Sequence, residues 1–263
     1  MKYDFTSIMD RRGKDALAID SVGEHIWGSE PEKPEDGFDF IPIWVADMNF
    51  PTCPSITESI AKRVQHPAFG YFRPAEEYYN SIIKWQKNHF GVTGLTKEHI
   101  GYENGIHGFN LAGLIGSFHI IYSRYLRDRI CSHANATHYN EMNVLSMHAL
   151  IGAYQSQGAE WLEELRTVLE ENARYAVDFI RNNFSGVEAA SPQGTYMIFL
   201  DCTEYCAKTG RTIDEVLKAG WKKGVGWQDG RAFGGSCHIR MNLALPLSRI
   251  EDAFGRLKRY VFL

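Results

Sequence analysis

The spacing of apolar residues changes along this chain, and the changes mark out its elements. In PSITESIAKRV, residues 54–64, Ile56, Ile60 and Val64 fall on one helical side, with Ser55 and Glu58 at capping-box spacing. The stretch FGYFRPAEEYYNSIIKWQKNHFG predicts a second helix, with Pro74 in its first turn and Tyr78, Ile82 and Trp85 along one side. A long helix is expected in EWLEELRTVLEENARYAVDFIRNNF, where Trp161, Leu165, Val168, Leu169, Ala176 and Ile180 trace an apolar stripe. Beyond it, GTYMIFLD (194–201) and CHIRMNLAL (237–245) read as strands. Thr212 and Glu215 cap a helix reaching Trp221, and Ser248 and Glu251 cap a terminal helix that buries Ile250, Phe254 and Leu257. Residues 186–263 thus alternate strand, helix, strand, helix, an α+β unit able to carry its own small core. Two further strand-like runs, HIGY and LIGSFHIIY, flank a glycine-rich turn within residues 99–122. Residues 1–40 are polar and irregular, with EPEKPEDG at 30–37 reading as an exposed arm.

At 263 residues, 44% hydrophobic and 23% charged, the chain can bury a sizeable core as one large domain or two modest ones. A net charge of −4 provides no field to draw in a nucleic-acid backbone. MKYDFTSIMDRR lacks the apolar core of a signal peptide, and no run is long enough to cross a bilayer. The five cysteines are widely spaced, and the nearest pair, CTEYC, does not have the usual zinc or dithiol spacing. Reduced thiols in a cytoplasmic protein are the simplest reading.

Few chemical motifs stand out. GxGxxG, the P-loop, HExxH and GxSxG are all missing from the chain. His133, His138 and His148 are not spaced as metal ligands, and no metal is expected. Asp201, Glu204 and Asp214 could form a carboxylate pair, though such residues are usually solvated surface. Arg240 is more informative, because a guanidinium inside the apolar strand HIRMNLAL needs a partner or a route to water. A bidentate clamp on a substrate carboxylate is one reason for it; a structural ion pair or a solvent-facing side chain is the other. Tyr71 is either a phenol aimed at a ligand or a packed ring.

Taken in order, seven blocks resemble the MalY/PatB-type pyridoxal-phosphate (PLP) enzymes, the C–S lyase branch of the fold-type-I aminotransferases. They are IPIWVADMNFP (41–51), FGY (69–71), YENGIHG (102–108), FNLAGLIGSFHIIY (109–122), HYNEMNVLSMHALIGAY (138–154), SPQGTYMIFLDC (191–202) and CHIRMNLALP (237–246). The resemblance implies β-elimination of cystathionine or another cysteine S-conjugate to pyruvate, ammonia and a thiol, with related aminotransferase activity. It also implies a homodimer with no nucleic-acid or membrane partner. In that family a lysine holds PLP covalently and removes the Cα proton. It immediately precedes the FNLAGL block, and here Gly108 occupies its position. The motifs that stack on the ring and pair with its nitrogen are missing too. A segment of domain size is therefore expected to be absent, with Gly108 joined directly to Phe109.

Other family positions carry over. Arg240 matches the arginine that clamps the substrate α-carboxylate, and Val45 and Ala46 match the backbone lining it. Tyr71 matches the tyrosine that reaches the cofactor phosphate in the neighbouring subunit. Gly105, Ile106 and His107 begin the phosphate cup, and Asn49 stands where relatives often carry aspartate, with no consequence assigned. The expected fold is α/β, an α+β remnant: a fold-type-I small domain plus a reduced part of the large-domain sheet. Its divisions are an arm (1–40), the start of the small domain with linking helices (41–98), a residual large-domain segment (99–144), and the long helix with the C-terminal small domain (145–263). The two strands flanking the junction are expected to pair, covered by helices or a partner chain. The chain is expected to be inactive alone. The alternative is a non-catalytic remnant or engineered deletion that retains the fold, dimer contacts or weak carboxylate binding.

Overall fold

The computed structural model describes residues 1–24, 30–70, 72–103, 117–137 and 142–262. Tyr71, Gly105, Ile106 and His107 lie outside these residues, as do His138 and the Gly108–Phe109 junction. Two units divide the chain, residues 1–51 with 164–263 and residues 52–163. The first unit begins with a short helix, α1 (Leu17–Asp20), and a strand, β1 (Ile41–Pro42). Within this opening segment Phe5 meets Phe50 edge-on at 5.2 Å, and the Trp44 indole donates to the Ala18 carbonyl at 2.9 Å. Residues 30–37 are not uniformly exposed, because Glu30 and Pro31 are buried.

The second unit contains α2 (Pro54–Val64), α3 (Glu76–Phe90), β2 (Ile100–Glu103), β3 (Ser117–Ile120), α4 (Arg124–Thr137) and α5 (Val144–Ala153). β2 and β3 pair antiparallel, from Ile100 opposite Ile120 to Glu103 opposite Ser117. Helices cover one side of this pair. Ile100, Phe118 and Ile120 join Tyr78, Ile82, Met147 and Ile151 in one apolar cluster, and Tyr154 stacks on Trp85 at 4.6 Å. α2 crosses α5 so closely that a Cβ on Gly152 would lie 2.3 Å from the Ser55 carbonyl oxygen. Pro74 precedes α3 rather than entering its first turn, because Ala75 is the N-cap.

After α6 (Ser156–Asn183) come β4 (Glu188–Ala189), β5 (Met197–Asp201), α7 (Thr203–Thr209) and α8 (Ile213–Lys222). Strands β6 (Val225–Gly226), β7 (Gln228–Asp229) and β8 (His238–Asn242) follow, then the terminal helix α9 (Leu247–Tyr260). Four strands form an antiparallel sheet in the order β4-β5-β8-β7, and β1 pairs with β6 in parallel. The strand period of two sorts the side chains. Ile198, Leu200, Ile239 and Met241 enter the core with Ala176, Ile180, Leu217, Phe254 and Leu257. Of the alternate positions, Phe199, His238 and Arg240 are only half-buried, whereas Asn242 is fully buried. The architecture is a mixed α/β one with small open sheets.

Candidate functional site

Arg240 sits at the centre of β8, paired across the sheet with Phe199 on one side and Gln228 on the other. Its guanidinium donates to Gln228 Oε1 at 2.7 Å and lies over the Phe233 ring, 4.3 Å from the centroid. Among the described residues no carboxylate pairs with it. Burial lowers its pKa, opposed by the nearby Tyr196 phenol, but an arginine remains charged. One neutral partner leaves most of a five-donor fork unused. Of the alternatives left by the sequence, the structural ion pair is not found among the described residues, and the half-buried side chain keeps a route to solvent.

Two residues along the same strand, Asn242 is fully buried and reaches the segment that contains Val45 and Ala46. Its amide donates to the Val45 carbonyl at 2.8 Å and to the Asp47 carbonyl at 2.7 Å, while its Oδ1 accepts from the Ala244 N–H at 2.7 Å. The Tyr196 hydroxyl donates to the Ala46 carbonyl at 3.2 Å. Arg11 donates to the Met48 carbonyl at 3.4 Å. Side chains thus take up four consecutive carbonyls, those of Val45, Ala46, Asp47 and Met48. Among the described residues, the N–H groups of the same four positions donate no hydrogen bond. A run of backbone whose acceptors are occupied and whose donors are free is receptive to an anion.

Tyr196 links this turn to Arg240. Burial raises its phenol pKa, the Asp47 charge raises it further, and the Arg240 charge opposes both. The structure thus ties Val45 and Ala46 to Asn242 and Tyr196, with Arg240 two residues from Asn242 on the same strand. Asn49 also has a consequence. It is buried, it donates to the Pro42 carbonyl at 3.3 Å, and its Oδ1 accepts from Arg11 at 3.2 Å. The residues that sequence reasoning missed are Arg11, Tyr196, Gln228, Phe233 and Asn242. Asn242 had a readable signal: a polar amide at period two from Arg240 in an apolar strand needs buried partners.

The other candidates do not converge. Asp201 accepts from the Thr203 N–H at 2.9 Å and lies 3.7 Å from His238 Nε2. Glu204 pairs with Lys208, and Asp214 with Arg231 at 2.5 Å. His133 is exposed on α4, and His148 is half-buried on α5. All five cysteines are free thiols.

The donors still open here, most of the Arg240 guanidinium and the backbone amides of residues 45–48, suit a carboxylate, while the Tyr196 hydroxyl and the Asn242 amide are already engaged by the carbonyls of the turn. Among the described residues no lysine takes part in the hydrogen bonds, ion pairs or ring contacts of Arg240, Tyr196 or Asn242.

No family model matches the chain. It is 30% identical over 152 residues to cystathionine beta-lyase PatB of Bacillus subtilis (strain 168), covering 57% of this chain and 38% of that protein. It is 30% identical over 159 residues to Protein MalY of Escherichia coli (strain K12), covering 59% and 39%. The matches thus span well under half the length of these relatives. In three dimensions the chain superposes on the PLP-bound C–S lyase from Staphylococcus hominis with a TM-score of 0.82, 18% identity, and coverage of 100% of this chain and 99% of that one. The fold is that of these PLP-binding lyases. Among the described residues no helix is long and apolar enough to cross a membrane.

Proposed function

We propose that this chain is a shortened relative of the MalY/PatB-type C–S lyases that binds the α-carboxylate of an amino acid or cysteine conjugate without eliminating its thiol. The observation that carries this reading is the pairing of an arginine that has no carboxylate partner with the 45–48 turn, whose four carbonyls are occupied and whose amides are open. Arg240 grips one edge of the carboxylate in bidentate fashion, and the amides of the Val45–Ala46 segment receive its remaining lone pairs.

The absence of chemistry rests on the sequence at Gly108–Phe109, where the family's lysine would precede FNLAGL. Without an amine at that position there is neither a covalent tether for PLP nor a base for the Cα proton, and general acid–base help alone is worth about 10²–10⁴-fold. In this reading Tyr71, Gly105, Ile106 and His107 are what is left of a phosphate cup. β2 and β3 are what is left of a larger sheet, and the chain works as a cytoplasmic homodimer. The relatives' lengths support a missing segment. One aligned stretch makes up 57% of this chain and only 38% of PatB, so that relative is roughly one and a half times as long.

Two measurements test the reading. With L-cystathionine and added PLP, pyruvate release is expected to match a protein-free control; release well above it would overturn the non-catalytic assignment. Calorimetric titration with L-methionine is expected to give saturable heat that is lost in Arg240→Ala and absent with L-methioninamide, which lacks the carboxylate. Equal binding of acid and amide would overturn the carboxylate assignment.

A further inference from the structure

The turn that offers its amides also carries a negative charge, that of Asp47. A carboxylate ligand arriving at Ala46 would meet this charge immediately beside its binding amides, and like charges a few ångströms apart repel appreciably even near a surface. Arg11 answers it. From the N-terminal segment, its Nη2 lies 2.6 Å from Asp47 Oδ2. Its Nη1 reaches the Met48 carbonyl at 3.4 Å and Asn49 Oδ1 at 3.2 Å. The Arg11 side chain is largely buried, so water and salt screen this pair less than an ordinary surface ion pair. Asp47 also acts on Tyr196, whose phenol holds the Ala46 carbonyl. None of the sequence blocks that carry the family resemblance includes residue 11.

We propose that Arg11 is a positioning and charge-neutralising residue of the carboxylate site: it cancels Asp47 beside the binding amides and holds the far end of their turn. The inference rests on the carboxylate-binding reading above and adds a specific electrostatic requirement to it. Arg11 does not touch the ligand, and its effect passes through Asp47 and the backbone of residues 47–49. A purely mechanical clamp would be lost with Arg11 whatever stands at position 47. An electrostatic one is needed only while position 47 is charged.

The test compares L-methionine affinity in the full chain by calorimetry for the wild type, Arg11→Ala, Arg11→Lys, Asp47→Asn and the double variant Arg11→Ala/Asp47→Asn. Arg11→Ala is expected to bind about tenfold more weakly, the effect of one partly screened charge. The double variant is expected to recover most of that loss, and Arg11→Lys to keep most of the wild-type affinity. High salt should narrow the gap between Arg11→Ala and the wild type. Thermal melts identify any variant that fails to fold, in which case Arg11→Lys and Asp47→Asn carry the comparison. The inference is overturned if Arg11→Ala binds like the wild type, or if Asp47→Asn fails to restore it. Both outcomes leave the carboxylate reading intact so long as Arg240→Ala abolishes binding. If the wild type itself gives no saturable heat, that reading fails and this inference fails with it.

Discussion

Arg240 was legible from one line of sequence because a cation inside HIRMNLAL has no cheap place to go. The turn it works with was not, since nothing in WVADMN shows that every carbonyl will be taken by a side chain from elsewhere in the chain. Asn242 makes the largest contribution to that turn. Removing its amide takes two hydrogen bonds from the carbonyls of the half-buried Val45 and Asp47, at a net cost of about 0.5–1.5 kcal/mol for each. Asn242→Ala is therefore expected to lower the urea midpoint markedly and to weaken L-methionine binding together with it. Tyr196→Phe removes a single bond to the Ala46 carbonyl, which is less deeply buried. Its expected cost is about 1 kcal/mol, with a smaller loss of binding. Equal destabilisation by the two variants would show that the turn is not held as described.

Three capping boxes were expected among the elements, and one of them is present. Thr212 accepts from the Glu215 N–H at 3.3 Å, and Glu215 accepts from the Thr212 N–H at 2.7 Å, closing the box at the start of α8. The boxes at Ser55–Glu58 and Ser248–Glu251 are absent, because both helices begin before their serines. Pro54 is itself the first residue of α2, with Cys53 as N-cap, and Pro246 is the N-cap of α9. At Pro54 the restricted φ is already close to helical and starts α2 at the earlier position, whereas Pro246 only precedes α9, which begins at Leu247. Thr212→Ala is accordingly expected to cost about 1 kcal/mol in chemical denaturation, and Ser248→Ala less than about 0.5 kcal/mol. A similar loss in both would restore the cap read from the sequence. The apolar stripe of α6 was readable from period alone, whereas the pairing of β2 with β3 was expected from the family resemblance. α4 was not: none of its residues is buried, and Tyr125, Leu126 and Ile130 remain exposed, so no core-facing stripe announces it.

Across the whole molecule, charge pairing ties distant parts of the first unit together. Asp39 meets Arg249 at 2.7 Å and also pairs with Arg256, while Arg256 meets Asp252 at 2.6 Å. Burial pushes the Asp39 carboxyl up, but hydrogen bonds and charge from Arg256 and Arg249 outweigh it and leave the pKa below the ordinary 3.8. A lowered folded-state pKa contributes stability that is present above the unfolded value and lost as pH falls through the folded one. The urea midpoint is therefore expected to fall from about pH 6 to about pH 3, with a smaller fall in Asp39→Asn. An identical pH dependence in the two proteins would remove Asp39 from the account. The covalent continuity of the chain is a separate question at the same scale. An intact mass of 29.9 kDa and a tandem-mass peptide reading through Gly108–Phe109 are expected. A mass near that of the longer relatives would overturn the proposed shortening and reopen the catalytic reading.

By itself the sequence determined the periodic elements, the C-terminal α+β unit and the resemblance to the C–S lyases, because each is a local pattern or a simple identity. Tertiary structure alone decided that Asn242, Tyr196 and Arg11, separated from residues 45–48 by between 34 and nearly 200 positions, would satisfy that turn's carbonyls and leave its amides open. Hydrogen-bond satisfaction of a partly buried turn depends on which side chains the fold brings to it, and local spacing does not encode that. The residue expected to bind the carboxylate was visible in the strand. The backbone that makes its site receptive, and the cation that neutralises Asp47 beside it, became visible only once the chain was folded.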